Sequence, residues 1–486
     1  MADYDLAIIG GGLNGVSLAR DAAGRGLRVI LFEQGDLAGA ASSATPRLIH
    51  GDLAVLERRG FWRVRRALAE RRIWLAIAPH LVRPMRFVIP AHADERPPWL
   101  LRAGLFLYDS LASRNGLPGS TTLDITHHPV GNALKRPFGT AFEYSDCVVD
   151  DSRLVVLTAL DAAERGAAIR TGARCVRADR SEIWRLAVVD RGHRRTVTAR
   201  ALANATGGWT SMVAETVLRQ PQPVMAATQM SQIIVPRLFD SENVYVFQNN
   251  DGQLIFARPF ERDFTLIGTV THAFTGDPAI VAMRGADISY LCEAVSRYFR
   301  ERVAPIDVVR TVSGVNLTLA SARGRDETTL FHARRGKAPL LTMFGGDVTT
   351  SRLRAEWAVT KLTPFYPMSP PWTAGAALPG GDFAWDRFDT EVELARDRWR
   401  FLPESEAQRL VAAYGSGLSA VLGEARTREE LGPAFGPRLT GAEVRYLVTR
   451  EWARFPDDVL WRRSKLGLTM PAADCEALAA FMADLT

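Results

Sequence analysis

Hydrophobic positions run unbroken through Tyr4–Ile9, break at the glycine turn Gly10-Gly-Gly-Leu-Asn-Gly15, and resume with helical spacing over Val16–Arg25. A second apolar run, Arg28–Phe32, follows and ends at Glu33. A short continuous apolar run bounded by glycine predicts a strand buried on both faces, so the whole reads strand, turn, helix, strand. A further buried strand is predicted at Leu202–Ala205, closing in the small-residue turn Thr206-Gly207-Gly208, and another at Leu340–Phe344. The latter ends in Gly345-Gly346-Asp347 and enters a helix at Thr349-Thr350. Between these pieces, Gln232–Pro236, Val244–Gln248, Leu254–Ala257 and Phe264–Thr269 read as an inserted sheet. After the prolines of 364–371 and the turn Leu378-Pro-Gly-Gly381 the pattern is helical through Leu485.

The first turn has the chemistry of a dinucleotide site. Gly10 permits the tight turn, Gly12 lets backbone N–H groups approach a pyrophosphate, and Gly15 lets the helix pack closely on the strand. The helix N-terminus favours the phosphate charge. Glu33, closing the second strand, stands where a carboxylate accepts hydrogen bonds from a ribose. A glycine-rich turn without ligand is the alternative. The late turn at Gly345-Gly346 offers a second set of amides to the far end of the same cofactor.

Composition narrows the class. The 486 residues allow two to four domains at roughly 100–200 residues each. A 47% hydrophobic content excludes disorder, collagen and coiled coil. Basic residues exceed acidic ones by 60 to 54, giving +6, yet the lysines are only Lys135, Lys337, Lys361 and Lys465. Cys147, Cys175, Cys292 and Cys475 form no C-x-x-C pair, so no metal site and no disulfide framework is expected, and a reducing cytoplasm fits. No run of about 18 apolar residues predicts a spanning helix. Peripheral attachment to the inner face of the cytoplasmic membrane stays open. Two segments are candidates for it: the arginine-rich Arg58–Trp74, with Phe61, Val64 and Leu68 near one helical face, and Trp99–Leu107, apolar except for Arg102. Packing on the core is the alternative for both. Nothing indicates nucleic-acid binding.

The chain resembles the FAD-dependent glycerol-3-phosphate dehydrogenase family over nearly its whole length. The resemblance rests on Gly10-Gly-Gly-Leu-Asn-Gly15, Asp21-Ala-Ala-Gly-Arg-Gly26, Ser42-Ser43, Leu48-Ile-His-Gly51, Pro84-Met-Arg-Phe87, Leu117-Pro-Gly-Ser120 and Phe142–Cys147. It continues through Asp150-Asp151, Asn204-Ala-Thr-Gly207, Ser313-Gly-Val315, Phe344-Gly-Gly346 and Asp457–Arg463. It implies a fold of class α/β plus α. A discontinuous Rossmann-type FAD-binding domain would span 1–74, 148–215 and 335–370, with an inserted antiparallel-sheet substrate domain at 75–147 and 216–334 and a helical C-terminal domain at 371–486. The cofactor FAD is assigned Gly10, Gly12, Asn14, Gly15, Glu33, Ser42, Ser43, Arg47, Leu48, His50, Thr206, Gly207, Gly346 and Thr349. Arg47 replaces a usual lysine, retaining either a structural contact or one to cofactor phosphate. The family's reaction transfers hydride from a CH–OH carbon to the flavin and passes electrons to a quinone; a homodimer is compatible with it.

The departures fall on the substrate side. The family's H-G-G-L-R-Y is His50-Gly-Asp52-Leu-Ala54-Val55, its S-G-V-R-P is Ser313-Gly-Val-Asn316-Leu317, and the lysine after the late glycines is Asp347. The family's R-x-x-K-G-S-H has become Ala226, Gln229, Met230, Ser231 and Gln232, and its G-T-T-D reads Gly268-Thr-Val-Thr271. A phosphate dianion in a closed site needs fixed cations or several N–H donors. Their loss predicts a flavin-dependent dehydrogenase acting on an alcohol or amine C–H of a small molecule other than glycerol 3-phosphate, such as a polyol or an amino alcohol, or a different carboxylate or phosphate should Arg258 rebuild an anion site. Two readings stay beside it: the family's usual reaction, its anion site rebuilt from Arg258, Arg323 or Arg325, and a flavoprotein without turnover. The candidate catalytic residues are His50 as base, Asp347, Gln232, Asn316 and Arg258. Asp347 reads equally as a helix cap, and facing the flavin it would lower the flavin potential.

Overall fold

The computed structural model describes residues 2–53, 60–91, 97–111, 116–135, 139–221, 223–249, 251–320 and 328–485. Ala54, Val55, Arg58, Arg59, Arg323 and Arg325 lie outside them.

The chain opens with β1 (Tyr4–Ile9), α1 (Leu13–Gly24), β2 (Val29–Glu33), β3 (Leu48–Ile49), α2 (Phe61–Ile77), β4 (Val82–Pro90), α3 (Pro98–Ser110), β5 (Thr121–Asp124) and β6 (Thr140–Val149). Next come α4 (Asp151–Glu164), β7 (Ala168–Thr171), β8 (Ala173–Arg180), β9 (Trp184–Asp190) and β10 (His193–Asn204). The middle holds β11 (Met225–Pro236), β12 (Val244–Gln248), β13 (Leu254–Phe260), β14 (Phe264–Ala273), α5 (Gly285–Tyr298), β15 (Arg310–Leu319), β16 (Thr329–Arg334), β17 (Lys337–Met343) and α6 (Ser351–Thr360). The C-terminal helices are α7 (Phe388–Arg398), α8 (Glu404–Tyr414), α9 (Gly441–Arg450) and α10 (Ala472–Ala483).

The first sheet has the order β16-β17-β10-β1-β2-β7, with β8 and β9 attached beside β10. β17, β10, β1, β2 and β7 run parallel. Side chains alternate across a strand, and both faces of this one are covered, which explains the unbroken apolar runs. Leu6, Ile8, Val29 and Leu31 pack with α1 and α4, while Ala7, Ile9, Ile30 and Phe32 meet Trp184, Leu202 and Leu340 on the other side.

The second sheet runs β15-β11-β14-β13-β12-β4-β6-β3, antiparallel except for the β12–β4 pair. Helix α5 covers one face, its Leu291, Cys292 and Val295 packing on Ile233, Val235, Tyr245 and Ile267. Two strands sit across the expected boundaries: β16 joins the first sheet, and β3 pairs with β6 in the second. The pairing of β3 puts the residues after Ile49 between the two sheets. The C-terminal helices close their own core around Trp399, Leu410, Val411 and Leu447.

Candidate active site

The turn after β1 is shaped for close approach. Gly10 has φ +109°, and a Cβ there would lie 2.5 Å from the Ala205 carbonyl; one on Gly15 would lie 1.9 Å from the Gly10 carbonyl. Helix α1 begins at Gly12 with no side-chain cap of its own. Its N-terminus is met from another loop, where Ser42 Oγ accepts the Leu13 N–H at 3.0 Å and would meet a Cβ on Gly12 at 2.8 Å. A helix N-terminus whose early amides stay open, beside a hydroxyl that can still donate, fits a cofactor pyrophosphate.

Glu33 accepts the Gly11 N–H at 2.7 Å and the Gly35 N–H at 2.8 Å. Burial pushes its carboxyl above the usual range and these donors pull it back. The carboxylate thus stands against the turn, where a ribose can reach its remaining lone pairs. Thr206 is set by Asn204, whose Oδ1 accepts its hydroxyl at 2.7 Å, and Gly207 follows with φ +55°. Ser43 donates to the Ala40 carbonyl at 3.0 Å.

Three of the residues assigned to the cofactor also make packing or positioning contacts within the protein. Leu48 is buried in β3, paired to Val148. Arg47 lies 3.4 Å from Asp151, donates to the Ser43 carbonyl at 3.2 Å and stands 4.8 Å from the Phe260 ring centre. Thr349 is buried and bridges two loops, its Oγ1 accepting the His50 N–H at 3.1 Å while Trp74 Nε1 donates to its carbonyl at 2.8 Å.

His50 is held by its own loop, the Asp52 N–H donating to Nδ1 at 3.2 Å. In that arrangement a neutral ring carries its proton on Nε2. The adjoining loop is fixed by a buried chain the sequence did not point to. The Gly51 N–H donates to Tyr108 Oη at 2.7 Å, Tyr108 donates to Asp146 at 2.6 Å, and Arg71 donates to the other oxygen of Asp146 at 2.5 Å. The signals for it were a lone phenol in the apolar run of α3 and an acid, Asp146, set in the apolar end of β6.

At the second glycine turn, Arg354 on α6 donates to the Gly345 carbonyl at 3.0 Å and to Asn14 Oδ1 at 3.1 Å, while Asn14 Nδ2 reaches the same carbonyl at 3.3 Å. The two cofactor turns are therefore tied directly together. Gly346 has φ +85°, and a Cβ there would lie 2.0 Å from Arg354 Nη1. Asp347 is exposed and accepts both the Thr350 N–H at 2.7 Å and its hydroxyl at 2.9 Å, which is capping geometry. Asn316 lies against this turn, since a Cβ on Gly345 would be 3.7 Å from its Oδ1.

Gln232 is buried and donates to the Ala44 and Thr45 carbonyls at 3.1 and 2.8 Å, which supports that loop. Gln229 bonds to Ser231 Oγ at 3.0 Å and the Ala282 carbonyl at 2.9 Å. Arg258 is not gathered with these residues. It lines a separate cavity with Arg47 and Lys465, whose walls include none of His50, Gln232, Asn316 or Asp347.

A parallel sheet with an uncapped helix N-terminus at its glycine turn, a second sheet facing it and a second glycine turn closing over the gap define a flavin-dependent oxidoreductase. Residues 5–353 match the family described as FAD dependent oxidoreductase, and residues 372–485 match the C-terminal domain of alpha-glycerophosphate oxidase. A glycerol-3-phosphate dehydrogenase of Pseudomonas aeruginosa is 44% identical over 475 residues, 96% of this chain and 92% of the relative. A D-erythritol 1-phosphate dehydrogenase of Brucella abortus is 42% identical over 480 residues, covering 97% and 96%. The fold is shared with the glycerol-3-phosphate dehydrogenase of Bacillus halodurans complexed with FAD, at TM-score 0.79 and 22% identity, over 99% of this chain and 91% of that one. The chain belongs to the FAD-dependent glycerol-3-phosphate dehydrogenase family, and FAD is its cofactor.

Proposed function

We propose that this protein is an FAD-dependent dehydrogenase that oxidises the CH–OH carbon of a polyol or amino alcohol carrying no phosphate. The observation that carries the reading is Asp347: an exposed carboxylate follows Gly346 where the family resemblance places a lysine. With Asn316 at the family's arginine position and Gln229, Ser231 and Gln232 uncharged, these segments oppose a phosphate dianion with no cation.

Bound FAD supplies a hydride acceptor at N5. Asn14 and Arg354 tie together the two glycine turns that would hold the cofactor. His50, with its proton on Nε2, serves as the donor that orients the substrate oxygen, and Thr349 and Tyr108 hold its loop. The Asp347 carboxylate serves as acceptor for the hydroxyl proton.

A second reading, oxidation of glycerol 3-phosphate itself, is favoured by the relative from Pseudomonas aeruginosa, at 44% identity over 96% of this chain. Steady-state assay with a dye acceptor separates the two. Turnover of an uncharged polyol or amino alcohol at a kcat/KM above that of glycerol 3-phosphate supports the first reading, and the reverse order sinks it.

For the electron acceptor we assign a quinone reached at a membrane surface. Among the described residues no helix is long and apolar enough to cross a membrane. Helix α3 nevertheless exposes Trp99, Leu100, Phe106 and Leu107, and Trp62 at the start of α2 is 75% exposed, with Arg65 5.5 Å from its ring centre. Aromatic residues backed by arginine suit an anionic bilayer surface. Val64 and Leu68, by contrast, are buried in the core. Sedimentation with anionic vesicles tests the assignment, and a protein that stays in solution and reduces no quinone contradicts it.

A further inference from the structure

A cavity of about 1250 Å³ opens where β4, the β13–β14 turn, α8 and the segment Arg463–Thr469 meet. Ten of its lining residues are Arg or Lys and four are Asp or Glu. Six of the ten are ion-paired within the protein, as Lys465 is with Asp150 and Arg409 with Glu443. Arg83, Arg258, Arg262 and Arg438 have no ion pair among the described residues.

Arg258 is the exceptional member. It is only 7% exposed, and its Nε has no hydrogen-bond partner. No hydrogen bond from its guanidinium reaches another described residue, and its contact is with the Phe260 ring, 5.5 Å away. Burial, with the Arg47 charge beside it, pulls its pKa down to about 9. A guanidinium presents five donors in a fixed fork, and a buried one is ordinarily answered by a carboxylate or phosphate. Here Glu261, Asp150 and Asp151 act on the fork only through space, and no acid among the described residues bonds to it.

We propose that this cavity is a second ligand site, separate from the flavin cleft, which binds a phosphorylated small molecule bearing at least two negative charges, with Arg258 as its anchor. The charge count sets the ligand class: one carboxylate would leave most of the surplus unanswered, whereas a phosphoryl dianion accepts several N–H groups at once. The walls come from the second sheet through Arg258 and Arg262, from the C-terminal domain through Arg438 and Lys465, and from the start of α4 through Asp150. A bound anion therefore ties three parts of the fold together, and its binding reads out as stability.

The test uses the FAD-loaded full chain, with inorganic phosphate and pyrophosphate as probes at constant ionic strength. Calorimetry and thermal unfolding are expected to show saturable binding, tighter for pyrophosphate, and a saturable rise in Tm that sodium chloride does not reproduce. Arg258→Met, which keeps the volume and removes the fork, should weaken the affinity by about tenfold or more. Arg262→Ala changes an exposed loop residue, so it folds even where Arg258→Met does not, and it should weaken binding several-fold. The proposal is overturned by the absence of saturable binding. It is equally overturned by unchanged affinity in a folded Arg258→Met or in Arg262→Ala, or by binding lost on Asn316→Asp instead, which would put the anion in the flavin cleft.

Discussion

Asp347 holds Thr350 from both sides, one carboxylate oxygen taking the backbone N–H at 2.7 Å and the other the hydroxyl at 2.9 Å. The residue therefore caps the turn into α6, and the proposed reaction asks the same exposed carboxylate to take the hydroxyl proton. Asp347→Asn keeps an oxygen for the cap and removes the charge and the proton acceptor. Its stability should stay within about 0.5 kcal/mol of the parent, while kcat on the true substrate falls about 100-fold or more. Asp347→Lys loses the cap, costing about 1 kcal/mol. It should lower the KM for phosphorylated substrates and raise the flavin potential, read by dye titration.

Gly15 is the sharpest test of the cofactor turn. A methyl at this position would sit 1.9 Å from the Gly10 carbonyl, which is backbone and has no side-chain rotamer to yield. Gly15→Ala should give protein with little bound FAD, measured as flavin absorbance per mole of chain. Full flavin occupancy in a folded variant would contradict the close packing.

Tyr108 carries the loop of His50 through one hydrogen bond to Gly51. In Tyr108→Phe the buried N–H loses its partner, at a cost of about 1–3 kcal/mol. Because the shift falls on His50, KM should rise more than flavin binding weakens, a split that a merely structural role would not produce.

His80 makes stability depend on pH. It is fully buried, with both ring nitrogens unpartnered, and burial, aided by the Arg153 charge and opposed by Asp382, holds its pKa down to about 3. The unfolded chain takes up a proton through the ordinary range near 6.5 and the folded chain does not. Stability is therefore full above that value and is lost as pH falls toward 3, at up to about 1.4 kcal/mol per pH unit. Urea unfolding across that window should show the slope, and His80→Leu should flatten it by one proton's worth.

The parts legible in the sequence were those fixed by neighbours along the chain. Gly10, Gly12, Gly15 and Glu33 declare a cofactor turn because the strand and helix that use them lie within the same 30 or so residues. The reading of Asn316 and Asp347 as departures on the substrate side rests on the family resemblance and belongs to the proposed function. What stayed hidden depends on contacts across the fold: Arg354 meets Asn14 across 340 positions, and Arg153 meets Glu451 across 298. No local pattern distinguishes such arginines from the many on the surface. The contact of His50 turned on a single N–H from Asp52, and the surroundings of Arg258 on segments as distant in the chain as Arg47 and Lys465.

The central claim, a pocket rebuilt against phosphate, is tested most directly by single-turnover reduction of the bound flavin, with the enzyme mixed anaerobically with glycerol 3-phosphate and, separately, with uncharged polyols and amino alcohols. The account predicts saturating bleaching of the visible flavin band by one of the uncharged or cationic alcohols and slow, non-saturating bleaching by glycerol 3-phosphate. Rapid, saturating reduction by glycerol 3-phosphate, with none of the others competing, would contradict it.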